Sequence, residues 1–180
     1  MRLILDRLYL WAGYAAGLFL VTIFLLMMIM SAGRQFGLNI PAGDEFAAWA
    51  MAATAFLGLA HTFKSGEMIR VGILIDRFTG LTRRLIEIVS GSLGLAFTAY
   101  FTWFACKLVY DSYRLNDLAN GVLAIPLWIP QLGFAGGLVI LTIAFLEEFV
   151  RVLLGYKPGY EKEPPKTAEE VVERAMSSAV

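Results

Sequence analysis

His61 is the only histidine in this chain of 180 residues. Together with the acidic pairs Asp44-Glu45 and Glu147-Glu148, and with Glu87 and Lys107, it is among the side chains beside the long apolar runs that could move a proton or hold an ion. Such a group marks a coupling path when it sits in the middle of a hydrocarbon layer, where a charge is expensive to keep. None of these does. Asp44 and Glu45, with Arg34, fall between long apolar runs, whereas Glu87, Lys107, Glu147 and Glu148 fall near the ends of such runs. Glu147 stands four residues before Arg151, a helical spacing that pairs the two charges. Lys107 can extend its amine outwards along its own stem. His61 closes the second apolar run, where a polar interfacial anchor and a proton-handling group are both open readings. No nucleotide-binding loop, metal-ligand spacing or nucleophile arrangement accompanies them. Cys106 is the single cysteine, so no internal disulfide or cysteine cage can form, and it reads as a small apolar residue. Ser90, Ser92, Thr98 and Thr102 read as hydrogen-bonding partners for helix backbones rather than catalysts.

The elements carrying these residues are four charge-free apolar runs, at 8–30, 46–60, 88–106 and 127–146. Crossing ~30 Å of hydrocarbon takes about 20 apolar residues at a 1.5 Å rise. The second run reaches that length once residues to 61–63 are included. Hydrophobic residues form 58% and charged residues 17% of the chain, against about 45–50% and about 25% in soluble domains. The excess places the chain among membrane proteins, and thirteen Phe, seven Tyr and four Trp suit a lipid-facing surface with aromatic belts. A formal charge of zero gives no sign of a nucleic-acid partner. Arg2 and Arg7 ahead of the first run imitate a signal peptide, and Ser31-Ala32-Gly33 imitates a cleavage site. The run is longer than the ~7–15 residues of a signal core, and we expect a retained helix.

Loop lysines and arginines set orientation. Twelve of the fifteen lie before the first run, between the second and third, or after the fourth, leaving Arg34, Lys107 and Arg114 for the other side. This asymmetry predicts cytoplasmic termini. The expected fold is an all-α integral membrane protein, a transmembrane domain over residues 1–155 with spans about 8–31, 44–63, 85–108 and 127–152. A short interfacial amphipathic helix is expected at 67–80, where Met68, Val71, Leu74, Ile75 and Phe78 form an apolar stripe and Arg70 and Arg77 share another face. Residues 156–180, rich in Pro, Glu and Lys, read as a charged cytoplasmic tail. Gly13-x-x-x-Gly17 and Gly133-x-x-x-Gly137 permit close helix approach, as do Ala48, Ala52 and Gly58.

Three stretches then resemble the small membrane subunit of tripartite ATP-independent periplasmic (TRAP) transporters, the DctQ-type family. They are Ile40-Pro41-Ala42-Gly43-Asp44-Glu45, Phe56-Leu57-Gly58 followed by Lys64-Ser65-Gly66-Glu67-Met68-Ile69-Arg70-Val71, and Ile125-Pro126-Leu127-Trp128-Ile129-Pro130. The likeness runs from about residue 7 to 155. The family often has His at Met68, Asp at Gly72 and Pro at Ala135, so no mechanism resting on those side chains carries over. The resemblance implies a bacterial inner-membrane, multi-pass scaffold without cofactor or catalysis. It implies a large multispan permease subunit and a periplasmic substrate-binding protein as partners, membrane lipid around it, and an organic acid as the sodium-driven cargo. The residues expected to pack helices or meet the partner subunit are Gly13, Gly17, Asp44, Glu45, Gly58, Arg70, Pro126, Trp128, Gly133 and Gly137. Two competing classes are a structural or assembly membrane protein outside transport and a stand-alone small exporter. The exporter would want a carboxylate buried within a span, and a haem anchor would want more than one histidine.

Overall fold

A hydrocarbon layer offers the backbone no water, so a crossing segment must satisfy its own N–H and C=O groups, and a helix does so. The computed structural model describes residues 2–37, 41–65, 81–121 and 123–154. These residues form four helices: α1 (Arg2–Gln35), α2 (Gly43–Ser65), α3 (Leu81–Arg114) and α4 (Trp128–Leu153). Each is long and apolar enough to cross a membrane. Among the described residues the only extended pairing is an isolated bridge between Leu118 and Pro126. The expected interfacial helix at 67–80 with Arg70, and the tail at 156–180, lie outside the described residues.

The helices run past the apolar segments that announce them. α1 and α3 hold 34 residues each, about 51 Å at a 1.5 Å rise, well beyond a ~30 Å hydrocarbon core. Hydropathy ends at the first charges, but Leu, Arg and Glu are good helix formers and carry the helices into the interface. α1 stops where Gly37 enters the left-handed region at φ 71°, its N–H reaching Arg34 O at 3.2 Å. Ala42 holds the same region at φ 63° immediately before α2. Asp44 and Glu45 occupy the first turn of α2, where carboxylates offset the exposed N–H groups. After α3, Asn116 takes φ 51° and the chain returns over the Leu118–Pro126 bridge, Leu127 N–H closing on Asp117 O at 3.0 Å.

The four helices do not close into a bundle. α1 packs on α2, α2 on α4 and α4 on α3, with only marginal contact between α1 and α4. The order across the layer is therefore α1, α2, α4, α3. α2 and α4 form the centre and the other two helices the ends. Small residues make the central packing possible. Ala47, Ala50, Ala53 and Ala60 of α2 are buried, and so are Ala135, Gly137 and Ala144 of α4. One apolar cluster gathers Tyr9, Ala60, Phe63, Leu141 and Ala144, and a second joins Ala105, Ala135 and Leu138. Where helices come close without large side chains, dispersion and interhelical hydrogen bonds replace the hydrophobic effect that lipid cannot supply.

Candidate functional site

The polar groups collect at one end of the layer, where α1 and α3 begin and α2 and α4 finish. Tyr9 comes from α1, His61 and Lys64 from α2, and Glu147 from α4. Lys64 Nζ lies 2.8 Å from Glu147 Oε1, and the Tyr9 hydroxyl donates to Glu147 Oε2 at 3.2 Å. The same ammonium stands 4.0 Å from Asp6 and 5.3 Å from the centre of the Tyr9 ring. Tyr9 is 2% exposed, the largest fully buried side chain described, so its ring fills space while its hydroxyl occupies a carboxylate. One carboxylate thus ties three helices together.

This corrects the pairing expected between Glu147 and Arg151. The Arg151 guanidinium instead lies 3.9 Å from Glu148, three residues away, because Glu147 faces α2 and α1. His61 joins the same end as a bonded group. Its Nδ1 is 3.1 Å from Tyr9 O, and its Nε2 is 3.5 Å from Ser65 Oγ. Nδ1 donates to the Tyr9 carbonyl, while the Ser65 hydroxyl near Nε2 also donates to His61 O at 3.0 Å.

The glycines resolve into separate roles. A Cβ on Gly13 would sit 2.8 Å from the His61 ring, so this glycine makes room for an imidazole. On Gly133 it would sit 2.8 Å from Ala53 Cβ, and on Gly137 2.6 Å from the Phe56 backbone. Those two glycines seat α4 directly on α2. Gly58 meets only Ala16, at an ordinary 3.8 Å, and Gly17 has nothing within 4 Å. Trp128 closes edge-on over Tyr113 with ring centres 5.7 Å apart, beside the bridge that holds Pro126. Asp44 is exposed, whereas Glu45 lies partly buried against Gly121 of the connection between α3 and α4, with Oε2 buried and without a hydrogen bond.

Away from the ends, hydroxyls serve the backbone. Thr102 and Thr142 stand 2.7 Å apart between α3 and α4, and both bond Leu138 O. An apolar cavity of about 370 Å³ opens between α1, α2 and α4, bordered by Phe19, Leu26, Trp49 and Ile129. Its lining carries no charged side chain. No cluster able to hold a metal ion is found among the described residues. Sequence reasoning did not identify Tyr9 as a polar partner, since its only signal was a hydroxyl near the end of an apolar run. The arrangement is built to join helices.

The family model for the DctQ component of tripartite ATP-independent periplasmic transporters matches residues 2–155. No curated protein matches the chain.

Proposed function

Because the chain belongs to the DctQ family, a component of tripartite ATP-independent periplasmic transporters and not an enzyme, we propose that it acts as the membrane scaffold of such a transporter. In this proposal it is the small permease subunit, braced against a large multispan permease subunit. The large subunit carries the substrate and sodium sites, and a periplasmic binding protein delivers an organic acid. The assembly sits in the bacterial inner membrane with both termini of this chain in the cytoplasm. Twelve of the fifteen lysines and arginines fall on the side of the termini, which supports that orientation.

One observation carries the scaffold reading. Glu147, the carboxylate at the junction of three helices, is already held by Lys64 and Tyr9. A coupling group must exchange partners during a cycle, whereas a carboxylate shared between Lys64 and Tyr9 suits a fixed joint between helices and so supports the scaffold reading. The open row of helices supports the same conclusion, since among the described residues nothing covers the two ends of the layer.

Reconstitution tests the proposal. The purified chain alone in liposomes should show no sodium-driven uptake of an organic acid. Uptake should appear with the large subunit and binding protein and should require all three. Uptake by this chain alone would overturn the scaffold reading.

A further inference from the structure

α1 and α4 run in opposite directions and touch only marginally. What joins them is the Tyr9 hydroxyl, which donates to Glu147 at 3.2 Å. Leu26 lies seventeen residues beyond Tyr9, and Pro130 seventeen residues before Glu147, about 25 Å along either helix. At that level the two helices do not close on each other. The apolar cavity separates Thr22 and Leu26 of α1 from Pro130 and Gly133 of α4, with Ala50 and Ala53 of α2 between them. Thr22, Ala50, Ala53 and Gly133 are too small to fill it. The pair is pinned at one end and splayed at the other.

The cavity lies within the spans Leu5–Gln35, Gly43–Ser65 and Trp128–Leu153. The Thr22 hydroxyl already bonds Leu18 O at 2.9 Å, and an apolar cavity stays dry. Left empty, its walls lose the dispersion contacts of close packing. A volume of about 370 Å³ is too small for a helix, about 10–12 Å across with its side chains, and suits a hydrocarbon chain. Depth indicates where the chain comes from. Phe19, at the inner end of the cavity, lies ~22 Å along α1 from Arg34, which matches the ~20–22 Å half-thickness of a bilayer with its headgroups. Arg34 is exposed in the last turn of α1, and no ion pair joins it to another described residue. A cation at headgroup depth above an apolar slot that reaches the midplane complements one phospholipid in charge and in length.

We propose that the cavity between α1, α2 and α4 holds one acyl chain of a phospholipid from the leaflet at the Arg34 end, whose phosphate Arg34 meets. The lipid wedges the splayed ends of α1 and α4 apart while the Tyr9–Glu147 bond holds their other ends together. The site belongs to this chain alone and stands whether or not the scaffold reading does.

The test uses a phospholipid with a photoreactive diazirine in one acyl chain, supplied in vesicles to the full chain, alone and with the large permease subunit. Free lipid is removed in mild detergent before irradiation, so that only retained lipid labels. Adducts should fall on residues 19–26 and 46–53 and spare the exposed Leu93, Phe97 and Phe104 of α3. Thr22→Phe fills the cavity and should cut that labelling about threefold or more, whereas Thr22→Val, close to threonine in volume, should leave it. Ala50→Leu fills the same space from α2, so loss in both filled variants at an unchanged thermal midpoint separates displacement from unfolding. Labelling spread equally over α3, or undiminished in both filled variants, overturns the site. Labelling of the lone chain that vanishes in the complex makes the cavity a seat for the large subunit and overturns the lipid as its occupant. Arg34→Gln should lower labelling by the phospholipid about three- to fivefold and leave labelling by a diacylglycerol with the same chain unchanged. An equal effect on the two probes overturns the role of Arg34.

Discussion

Lys64 and Glu147 lie 83 positions apart in sequence and 2.8 Å apart in space. That contact fastens the last turn of α2 to the last two turns of α4, and Tyr9 adds α1 to the same carboxylate. Glu147 keeps 15% and Lys64 23% of its side-chain surface exposed, so solvent screens the pair only in part. Lys64→Ala leaves a half-buried carboxylate without its cation and should destabilise the lone subunit by about 1–3 kcal/mol, below the full value of a buried pair. Lys64→Met combined with Glu147→Gln, which keeps an acceptor for the Tyr9 hydroxyl, should recover most of that loss. Thermal unfolding in detergent, arranged as a double-mutant cycle, measures the coupling. A coupling near zero would mean that the contact does not hold the helices.

That pair also marks how far the sequence could be read. The four helices were legible because lipid leaves a crossing segment no other backbone solution. Their ends were less so, since hydropathy stops at the first charge whereas α1 continues from Arg2 to Gln35. The lateral order α1, α2, α4, α3 left no trace, because helices apolar on nearly every side carry little periodic signal. The i,i+4 rule joined Glu147 to Arg151 because it sees only one helix, and a cation from a second helix took its place. Gly13 and Gly137 were legible as packing residues, but one receives an imidazole and the other a backbone. No spacing in the sequence distinguishes those two cases.

Gly137 and Gly136 are neighbours with opposite expectations. A Cβ at Gly137 would meet the Phe56 and Leu57 backbone at 2.6–2.7 Å, which cannot yield, whereas one at Gly136 meets nothing within 4 Å. Gly137→Ala should cost the lone subunit about 1–3 kcal/mol through overpacking. Gly136→Ala should stay within about 0.5 kcal/mol of the parent, as Gly17→Ala should on α1. Thermal midpoints of the three variants check this, and equal values would dissolve the distinction between a seated glycine and an open one.

His61 bonds the Tyr9 carbonyl at 3.1 Å through Nδ1. An anchor needs a polar group of that reach, while a proton carrier needs a titrating ring. His61→Gln keeps a hydrogen-bonding group without an ionisable ring. The variant complex should therefore retain uptake within about twofold of the parent from pH 6 to 8, where an ordinary histidine changes charge. A loss of more than about tenfold with the complex still assembled would assign His61 to proton handling. Gly13→Ala, whose methyl would press on the ring at 2.8 Å, should disturb assembly more than His61→Gln does.

The orientation rests on charge and can be measured directly. Asn116, with φ 51°, turns the chain between α3 and α4, at the end of the layer opposite Lys64 and Glu147. Position 39 falls in sequence between α1 and α2, and the orientation proposed above puts it on the same side. Ser65 closes α2 at the other end, its hydroxyl bonding His61 O at 3.0 Å. In a Cys106→Ser background, a cysteine at position 39 or 116 should react with an impermeant maleimide added outside the cell. One at position 65 should react only after the membrane is opened. Cys106 is removed so that the introduced thiol is the single one in the chain. The reverse labelling pattern would place the lysine- and arginine-rich side outwards, against the charge rule. It would also turn the Lys64–Glu147 junction to the periplasm.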